Sequence, residues 1–348
     1  MATVVGALRQ TRVALSGQLG AWAFYGIGIL AFVLLILPRI FQNPTLFLQT
    51  LVFGLTDGAL YALIALGYTM VYGIIELINF AHGDVFTVGG MIGILILSFF
   101  GLVPGSTVTL GLLLLPLLIG VMIATMLITG AINVAIERIA YKPLRHQPRL
   151  APLITAVGMS FILEGIMFIW HGPNFVQAPG LLPSVQFSLL GANIDTRELI
   201  IIGVAVGLML LLTSFVEYTR LGKAMRATAQ DRDAATLMGI DIDRTISTTF
   251  FIGAALAAVG GMLWAFYYGN LRFDTGFGAG LAAFTAAVFG GIGNIQGAAL
   301  GALVIGLVRA FNDGYGSGTW TDVIIFAILI LVLTLRPTGL LGMRVPEK

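Results

Sequence analysis

Residues 71–84 of this chain read VYGIIELINFAHGD, and they place polar side chains between two long apolar stretches. The preceding stretch covers residues 47–74 and the following one covers residues 85–102, so almost no loop separates them. Each is close to or above the roughly 20 residues that a helix needs to cross a bilayer core of about 30 Å. This part of the sequence therefore predicts two membrane helices joined by a polar junction.

The composition of the whole chain also predicts a membrane protein. Of its 348 residues, 58% are hydrophobic and only 10% are charged, whereas ordinary soluble domains have about 25% charged residues. So few charges cannot cover the surface of a soluble protein of this size, which excludes a cytosolic enzyme or a secreted domain. The net charge of +2 excludes a broad nucleic-acid-binding surface, and the absence of Cys excludes disulfide bonds and thiolate metal sites.

Ten apolar segments predict an all-α, polytopic integral membrane protein of about ten transmembrane helices. They cover residues 21–38, 47–74, 85–102, 108–136, 151–170, 199–216, 246–268, 279–291, 296–312 and 320–335. The first is interpreted as a retained helix, since no A-x-A-like cleavage site follows it. The eighth and ninth are short, so they are either two helices or one span with a re-entrant turn at 290–297. The second contains Asp57-Gly58 and is expected to be tilted or broken.

Positive charge predicts the orientation of the spans. Lys and Arg cluster in the N-terminal tail, the 137–150 loop, the 217–244 loop and the C-terminal tail. With ten crossings all four clusters fall on one side, which we assign to the cytoplasm, whereas nine crossings would place the last cluster outside. The predicted organisation is a cytoplasmic tail at 1–20, a transmembrane domain at 21–336 and a cytoplasmic tail at 337–348.

The polar junction has two interpretations. Asn79, His82 and Asp84 lie near bilayer depth, where polar groups are costly unless they face protein or water. Gly83 permits a tight break in the chain. The junction is therefore either a broken-helix segment that lines or gates a path, or a short polar turn in the cytoplasm.

The 217–244 loop predicts a short amphipathic helix. Arg220, Lys223 and Arg226 recur every three positions, so they share one face, and Gly239 is placed to end the helix. Such a helix suits docking in a groove of another protein. The alternatives are a basic loop that only sets topology and a helix that lies on lipid headgroups.

The sequence contains no catalytic or nucleotide-binding motif. Gly222-Lys223 is followed by Ala224 and lacks the upstream Gly of a phosphate-binding loop, so the chain is not expected to be an enzyme or to hydrolyse ATP by itself. Three His and no Cys leave no expected metal site. We therefore predict no catalytic residue, and transport is the leading class of function.

Two acidic residues, Asp57 and Glu164, lie within apolar spans. An acid at membrane depth is a functional candidate by default. We interpret Glu164 as a structural, hydrogen-bonded intramembrane acid, with Gly158 and Gly165 allowing another span to approach its helix. The alternative is a proton relay in a secondary transporter.

Three stretches of the chain resemble the permeases of ABC importers for branched-chain amino acids, the LivH type. They are residues 61–84 (YALIALGYTMVYG followed by INFAHGD), residues 224–240 and residues 290–302 (GGIGNIQGAALGA). The resemblance extends from about Phe47 to Leu341. It implies a permease subunit that forms part of the translocation pathway of an ATP-driven importer for branched-chain or other neutral amino acids. It also implies a multi-pass protein of the bacterial cytoplasmic (inner) membrane, with both termini in the cytoplasm.

The resemblance also implies roles for individual residues. The residues of the translocation path or gate would be Asn79, His82, Gly83, Asp84, Asn294 and Gln296. The residues that dock an ATPase would be Arg220, Gly222, Lys223, Met225, Arg226, Ala229, Asp231 and Gly239.

Partners and energy source follow from the same resemblance. It implies a second, related permease subunit, two cytoplasmic ATPase subunits and an extracytoplasmic solute-binding protein, besides the lipid bilayer and without nucleic acid. This chain would bind no cofactor, because its partners would use the ATP. The substrate stays open between neutral amino acids and urea or short amides, and a proton-coupled transporter using Glu164 is the remaining alternative.

Overall fold

The structure, a computed structural model, describes residues 43–342 except 77, 105–112, 146, 149, 190 and 337, together with the isolated positions 26, 30, 34, 37 and 38. The predicted N-terminal tail lies outside the described residues, as does all but these isolated positions of the first predicted span. The remaining nine predicted spans fall within the described part, except residues 108–112 of the span predicted at 108–136.

The described part is built from helices that run back and forth between two ends of a bundle. They are α1 (Pro44–Ile75), α2 (His82–Phe99), α3 (Leu114–Ile136), α4 (Leu150–His171), α5 (Thr196–Tyr218), α6 (Arg220–Gln230), α7 (Arg232–Leu237), α8 (Ile242–Tyr268), α9 (Thr275–Gly290), α10 (Ile295–Tyr315) and α11 (Thr321–Leu335). Eight helical segments are long and apolar enough to cross a membrane, and α9 is a shorter apolar helix. The predicted all-α membrane fold is confirmed.

The longest helix, α1, excludes one of the two predicted alternatives, a break at Asp57-Gly58. It runs through 32 residues without a break, and Asp57 and Gly58 lie inside it. Its length of about 48 Å exceeds a bilayer core of about 30 Å, so the helix must tilt or extend beyond the core.

The centre of the bundle consists of α1, α2 and α8. Most of their residues are buried, whereas only about a fifth of the most apolar part of α3, α4, α5 and α11 is buried. Small residues allow the closest contacts. On α1, a side chain at Gly58 would begin 2.7 Å from the Leu303 Cα atom of α10, so the two helix backbones touch there.

Short polar side chains begin several of the helices. Asn43 accepts a hydrogen bond from the Leu46 backbone N–H at 3.1 Å, which satisfies one of the open donors at the start of α1. Asp195 and Glu198 form a reciprocal capping box at the start of α5. Hydrogen bonds from Arg197 also lower the pKa of the Asp195 carboxyl to about 2, so this cap stays charged at any physiological pH.

One end of the bundle carries the positive loops. There, Arg232 donates to the Ile74 carbonyl at 3.0 Å, Tyr141 reaches Asn79, and the Leu341 N–H donates to the Gly290 carbonyl at 2.9 Å. These contacts gather the 137–145 segment, α6, α7 and residues 338–342 at what we call the basic end. We call the opposite end, where α8 and α10 finish, the far end.

The connections at the far end include two short antiparallel strand pairs. Strand β1 (Val176–Gln177) pairs with β4 (Asn270–Leu271), and β2 (Gln186–Leu189) pairs with β3 (Ala192–Asp195). The long 171–197 connection is thus a rim of turns and short strands, rather than a separate folded unit.

A discontinuous segment leads into α9. After α8 ends at the far end, Leu271 packs beside Gly90 in the middle of α2, and Gly276 packs against Gly83 near the start of α2. The 269–274 segment therefore enters the bundle, and α9 begins inside it. Of the two alternatives predicted for residues 279–312, the structure has two separate helices, α9 and α10, with a turn between them at 291–294.

Candidate functional site

The junction between α1 and α2 is buried. Glu76 follows the last residue of α1 with a left-handed φ of 56°, which turns the chain back into the bundle. Asn79, His82 and Asp84 are 1%, 0% and 2% exposed. The junction is therefore not a solvated turn, which leaves the interpretation that these polar groups face the interior of the protein.

His82, the first residue of α2, packs between two glycines and an aromatic ring. Its imidazole lies against Gly67 and near Gly253, and the edge of Tyr68 stands 4.9 Å away between ring centroids. Neither ring nitrogen makes a well-formed hydrogen bond among the described residues, although the ring lies beside the Ile64 backbone. A buried polar ring with so little hydrogen bonding is costly, so its position is set mainly by packing.

Asn79 and Asp84 tie the junction to the neighbouring helices. The Tyr141 hydroxyl donates to the Asn79 side-chain oxygen at 2.7 Å, and the Ser160 hydroxyl of α4 donates to Asp84 Oδ2. Oδ1 of Asp84 has no hydrogen-bond partner among the described residues. The junction therefore contacts both the middle of α4 and the segment that follows α3.

Glu164 lies one helical turn beyond Ser160 on α4. It is half-buried and close enough to Asp84 and Asp274 for electrostatic interaction. The expected close helix contact at Gly158 and Gly165 is wrong within the described chain, since no atom comes within 4 Å of where their side chains would begin. The face of α4 that carries Gly158 and Gly165 points away from the bundle, because the buried positions of α4 contact α2 instead.

A cavity of about 690 Å³ opens at the basic end beside the junction. It is lined by residues from three parts of the chain: 72–78, 137–153 and 228–233. Arg145 forms ion pairs with Glu137 and Asp243 across its border. The end of α1, the segment after α3 and α7 thus form one polar vestibule.

Comparison with known proteins assigns this chain to a family. The family model described as "Branched-chain amino acid transport system / permease component" matches residues 50–333. The chain belongs to this permease family.

Individual relatives match over nearly their whole length. The chain is 44% identical to the high-affinity branched-chain amino acid transport system permease protein LivH of Salmonella typhimurium, covering 87% of this chain and 97% of the relative. It is 43% identical to the permease protein BraD of Pseudomonas aeruginosa, covering 90% and 100%. A probable LivH of Methanocaldococcus jannaschii is 29% identical, covering 81% and 89%. No solved structure matches the chain significantly.

The predicted docking residues of this permease divide between two faces of α6. Gly222 and Met225 are buried, and a side chain at Gly222 would collide with the backbone of Val216 at the end of α5. Arg220, Lys223 and Ala229 are exposed. Gly222 and Met225 therefore hold α6 against its own bundle, and the exposed residues are the ones that remain open to a partner.

The remaining predicted docking residues shape α7 and its flanks. Asp231 accepts hydrogen bonds from the N–H groups of Asp233 and Ala234 at the start of α7. Gly239, with a φ of 80°, ends the segment. Arg226 donates to the Val216 carbonyl, which ties α6 to α5 a second time.

Asn294 ends the turn between α9 and α10, and Gln296 lies in the first turn of α10. Asn294 accepts from the Gly297 N–H at 3.0 Å and donates to the Leu341 carbonyl at 2.9 Å. It thus caps α10 and fixes the last described residues to the bundle. Gln296 is exposed at the basic end, and the turn lies against Gly73 of α1.

The structure also assembles a charged cluster that sequence analysis did not identify. Tyr268 donates to Asp57 Oδ1 at 2.5 Å, and Arg309 donates to the Tyr61 hydroxyl at 2.5 Å. Arg309 Nε lies 3.9 Å from Asp57 and 3.7 Å from Asp313. The i, i+4 spacing of Arg309 and Asp313 within an apolar helix was the available sequence signal.

Proposed function

We propose that this chain is the permease subunit of an ATP-driven ABC importer for branched-chain or other neutral amino acids. The observation that carries the proposal is the full-length match to LivH and BraD at 43–44% identity, on a fold whose spans surround a buried polar junction. A urea or short-amide permease is the alternative substrate class, because the sequence motifs alone do not separate it.

We further propose the partners and placement of the subunit. The basic end faces the cytoplasm of a bacterium, in keeping with the positive-inside rule, and both termini lie there. Two ATPase subunits bind at this end and hydrolyse the ATP, a second related permease completes the pathway, and a solute-binding protein delivers the substrate at the far end. This chain itself holds no cofactor.

The docking surface we propose consists of the exposed side of α6, the exposed side of α7 up to its last residue, Leu237, and Met238, which follows α7. Leu237 and Met238 are 88% and 83% exposed. Apolar side chains this exposed on a cytoplasmic segment suit insertion into a groove of another protein. The neighbouring Arg220 and Lys223 supply positive charge at the rim of this surface.

The contacts around α7 provide a route from the ATPases to the pathway. Arg232 of α7 is bonded to the end of α1, and α1 leads directly into the junction that Asn79 ties to Tyr141. When the ATPases close on ATP, movement of α7 would shift the end of α1 and the junction together. The spans would then expose the pathway alternately to each side.

Uptake of labelled leucine and urea tests the proposed substrate. The complete importer is purified with its ATPases, reconstituted with internal ATP and supplied with its binding protein. We expect ATP-dependent accumulation of leucine and none of urea. Accumulation of urea alone would support the amide permease, and no ATP-dependent uptake of either solute would contradict the proposed function.

A further inference from the structure

The charged cluster at Asp57, Arg309 and Asp313 lies within membrane helices. At 1.5 Å per residue, Asp57 is about 20 Å along α1 from Pro44 and about 27 Å from Ile75. Arg309 is about 21 Å along α10 from Ile295 and about 9 Å from Tyr315. The cluster therefore occupies the half of the bundle nearer the far end, and it extends from Asp57 and Arg309, at a depth where charged side chains are rare, to Asp313 near the end of α10.

The cluster is open on one side. The side chains of Arg309 and Asp313 are 28% and 43% exposed, whereas that of Asp57 is 10% exposed. Charges that faced lipid here would cost several kcal/mol, so the open side faces either water or protein. Asp322, exposed in the first turn of α11, adds further negative charge nearby.

Several polar atoms of the cluster are left with unused hydrogen-bonding capacity. A guanidinium has five N–H donors, and among the described residues Arg309 donates one hydrogen bond, to Tyr61. Its Nε is 3.7 Å from Asp313 Oδ2, which is too far for a hydrogen bond. The Thr321 hydroxyl donates to the other oxygen, Oδ1. Donors and a carboxylate oxygen thus stand side by side on the open face.

We propose that Arg309 and Asp313, supported by Asp57, form a binding site for the zwitterionic head group of a neutral amino acid on its way through the permease. The α-carboxylate of the solute accepts from Arg309, and its α-ammonium donates to Asp313 Oδ2. These two groups of an amino acid are separated by one carbon atom, which suits the adjacent donors and acceptor. Tyr61 and Tyr268 hold Arg309 and Asp57 in place by their hydrogen bonds.

This site rests on the proposed function and narrows the proposed substrates to zwitterionic amino acids. A solute without charged groups, such as urea, would leave the charges of Arg309 and Asp313 only partly compensated. A zwitterion compensates both charges. The solute-binding protein selects the substrate first; this site receives it at the far end of the bundle.

Two substitutions that each remove one charge and keep a polar side chain, Asp313→Asn and Arg309→Gln, test the site in the reconstituted importer. We expect leucine uptake to fall roughly tenfold or more, as for the loss of a charge-assisted hydrogen bond. ATP hydrolysis stimulated by the binding protein should stay within about twofold, because the basic end is unchanged. Asp322→Asn, which removes one charge without touching Arg309, is the matched control and should retain uptake.

The charge-swapped variant Arg309→Asp with Asp313→Arg tests whether an i, i+4 ion pair alone is sufficient. It keeps such a pair but places a carboxylate beside Asp57, so uptake should stay low although the complex assembles. Normal uptake by the swapped or single variants, or loss of assembly in both single variants, would overturn the proposed site. If wild-type importer fails to take up leucine under the same conditions, the proposed function itself is contradicted.

Discussion

At the residue scale, the contact between His82 and Gly67 is the tightest constraint on the junction. The imidazole occupies the space that a side chain at position 67 would need, so even one added methyl group displaces it. The ring in turn fixes the start of α2, which carries Asp84. The polarity of His82 within an apolar region is evident from the sequence, but its neighbours across the bundle depend on helix packing that no local pattern encodes.

The substitution Gly67→Ala should therefore destabilise the permease by about 1–3 kcal/mol, the usual cost of overpacking a core. Gly158→Ala is the matched control, since nothing in the described chain surrounds Gly158. Thermal unfolding of the purified complex measures both. Equal melting temperatures for the Gly67 variant and the wild type would contradict the packing described for His82.

The hydrogen bond between Tyr141 and Asn79 is a second constraint at this scale. Asn79→Leu and Tyr141→Phe each remove it, and each should reduce uptake while leaving expression near normal. Because both act on one contact worth about 1 kcal/mol, the double variant should lose little more than the more impaired single variant. Uptake rates of the wild type, the two single variants and the double variant give the coupling energy between the two residues. If the losses of the single variants add up in the double variant, Asn79 and Tyr141 act separately.

At the scale of elements, α6 and α7 combine two roles that their sequence does not separate. The helical character and the basic face could be predicted from the spacing of Arg220, Lys223 and Arg226. Which residues face inward could not, because that depends on how Thr219 turns the chain after α5. The structure assigns Gly222 and Met225 to the bundle and leaves Leu237 and Met238 open.

The substitution Leu237→Asp should release the ATPase subunits without unfolding the spans, because this side chain is 88% exposed and contributes little to the fold. The measurement is whether the ATPase subunits co-purify with the permease. Val185→Asp makes the same change at an exposed position of the far end and should leave the subunits bound. Retention of the ATPases by the Leu237 variant, with normal coupled hydrolysis, would remove α7 from the docking surface.

At the scale of the whole molecule, hydropathy was sufficient for most of the architecture. Eight described helices are apolar runs long enough to cross a membrane and α9 is a shorter apolar helix, so hydropathy alone could locate nine positions along the chain. The entry of 269–274 into the bundle could not, since it depends on contacts of Leu271 and Gly276 with α2. The cluster around Arg309 could not be predicted for the same reason, because α1, α8 and α10 contribute its residues from distant parts of the chain.

The energy source of uptake tests the central claim most directly, because a permease driven by partner ATPases needs no proton movement through its own acids. Leucine uptake is measured in vesicles with internal ATP, for wild type and Glu164→Gln, with vanadate or with a protonophore. We predict that vanadate stops uptake, that the protonophore does not, and that the Gln variant retains most transport since an amide preserves shape and hydrogen bonding. Uptake that a pH gradient drives without ATP, and that Glu164→Gln abolishes in a normally assembled complex, would contradict the account.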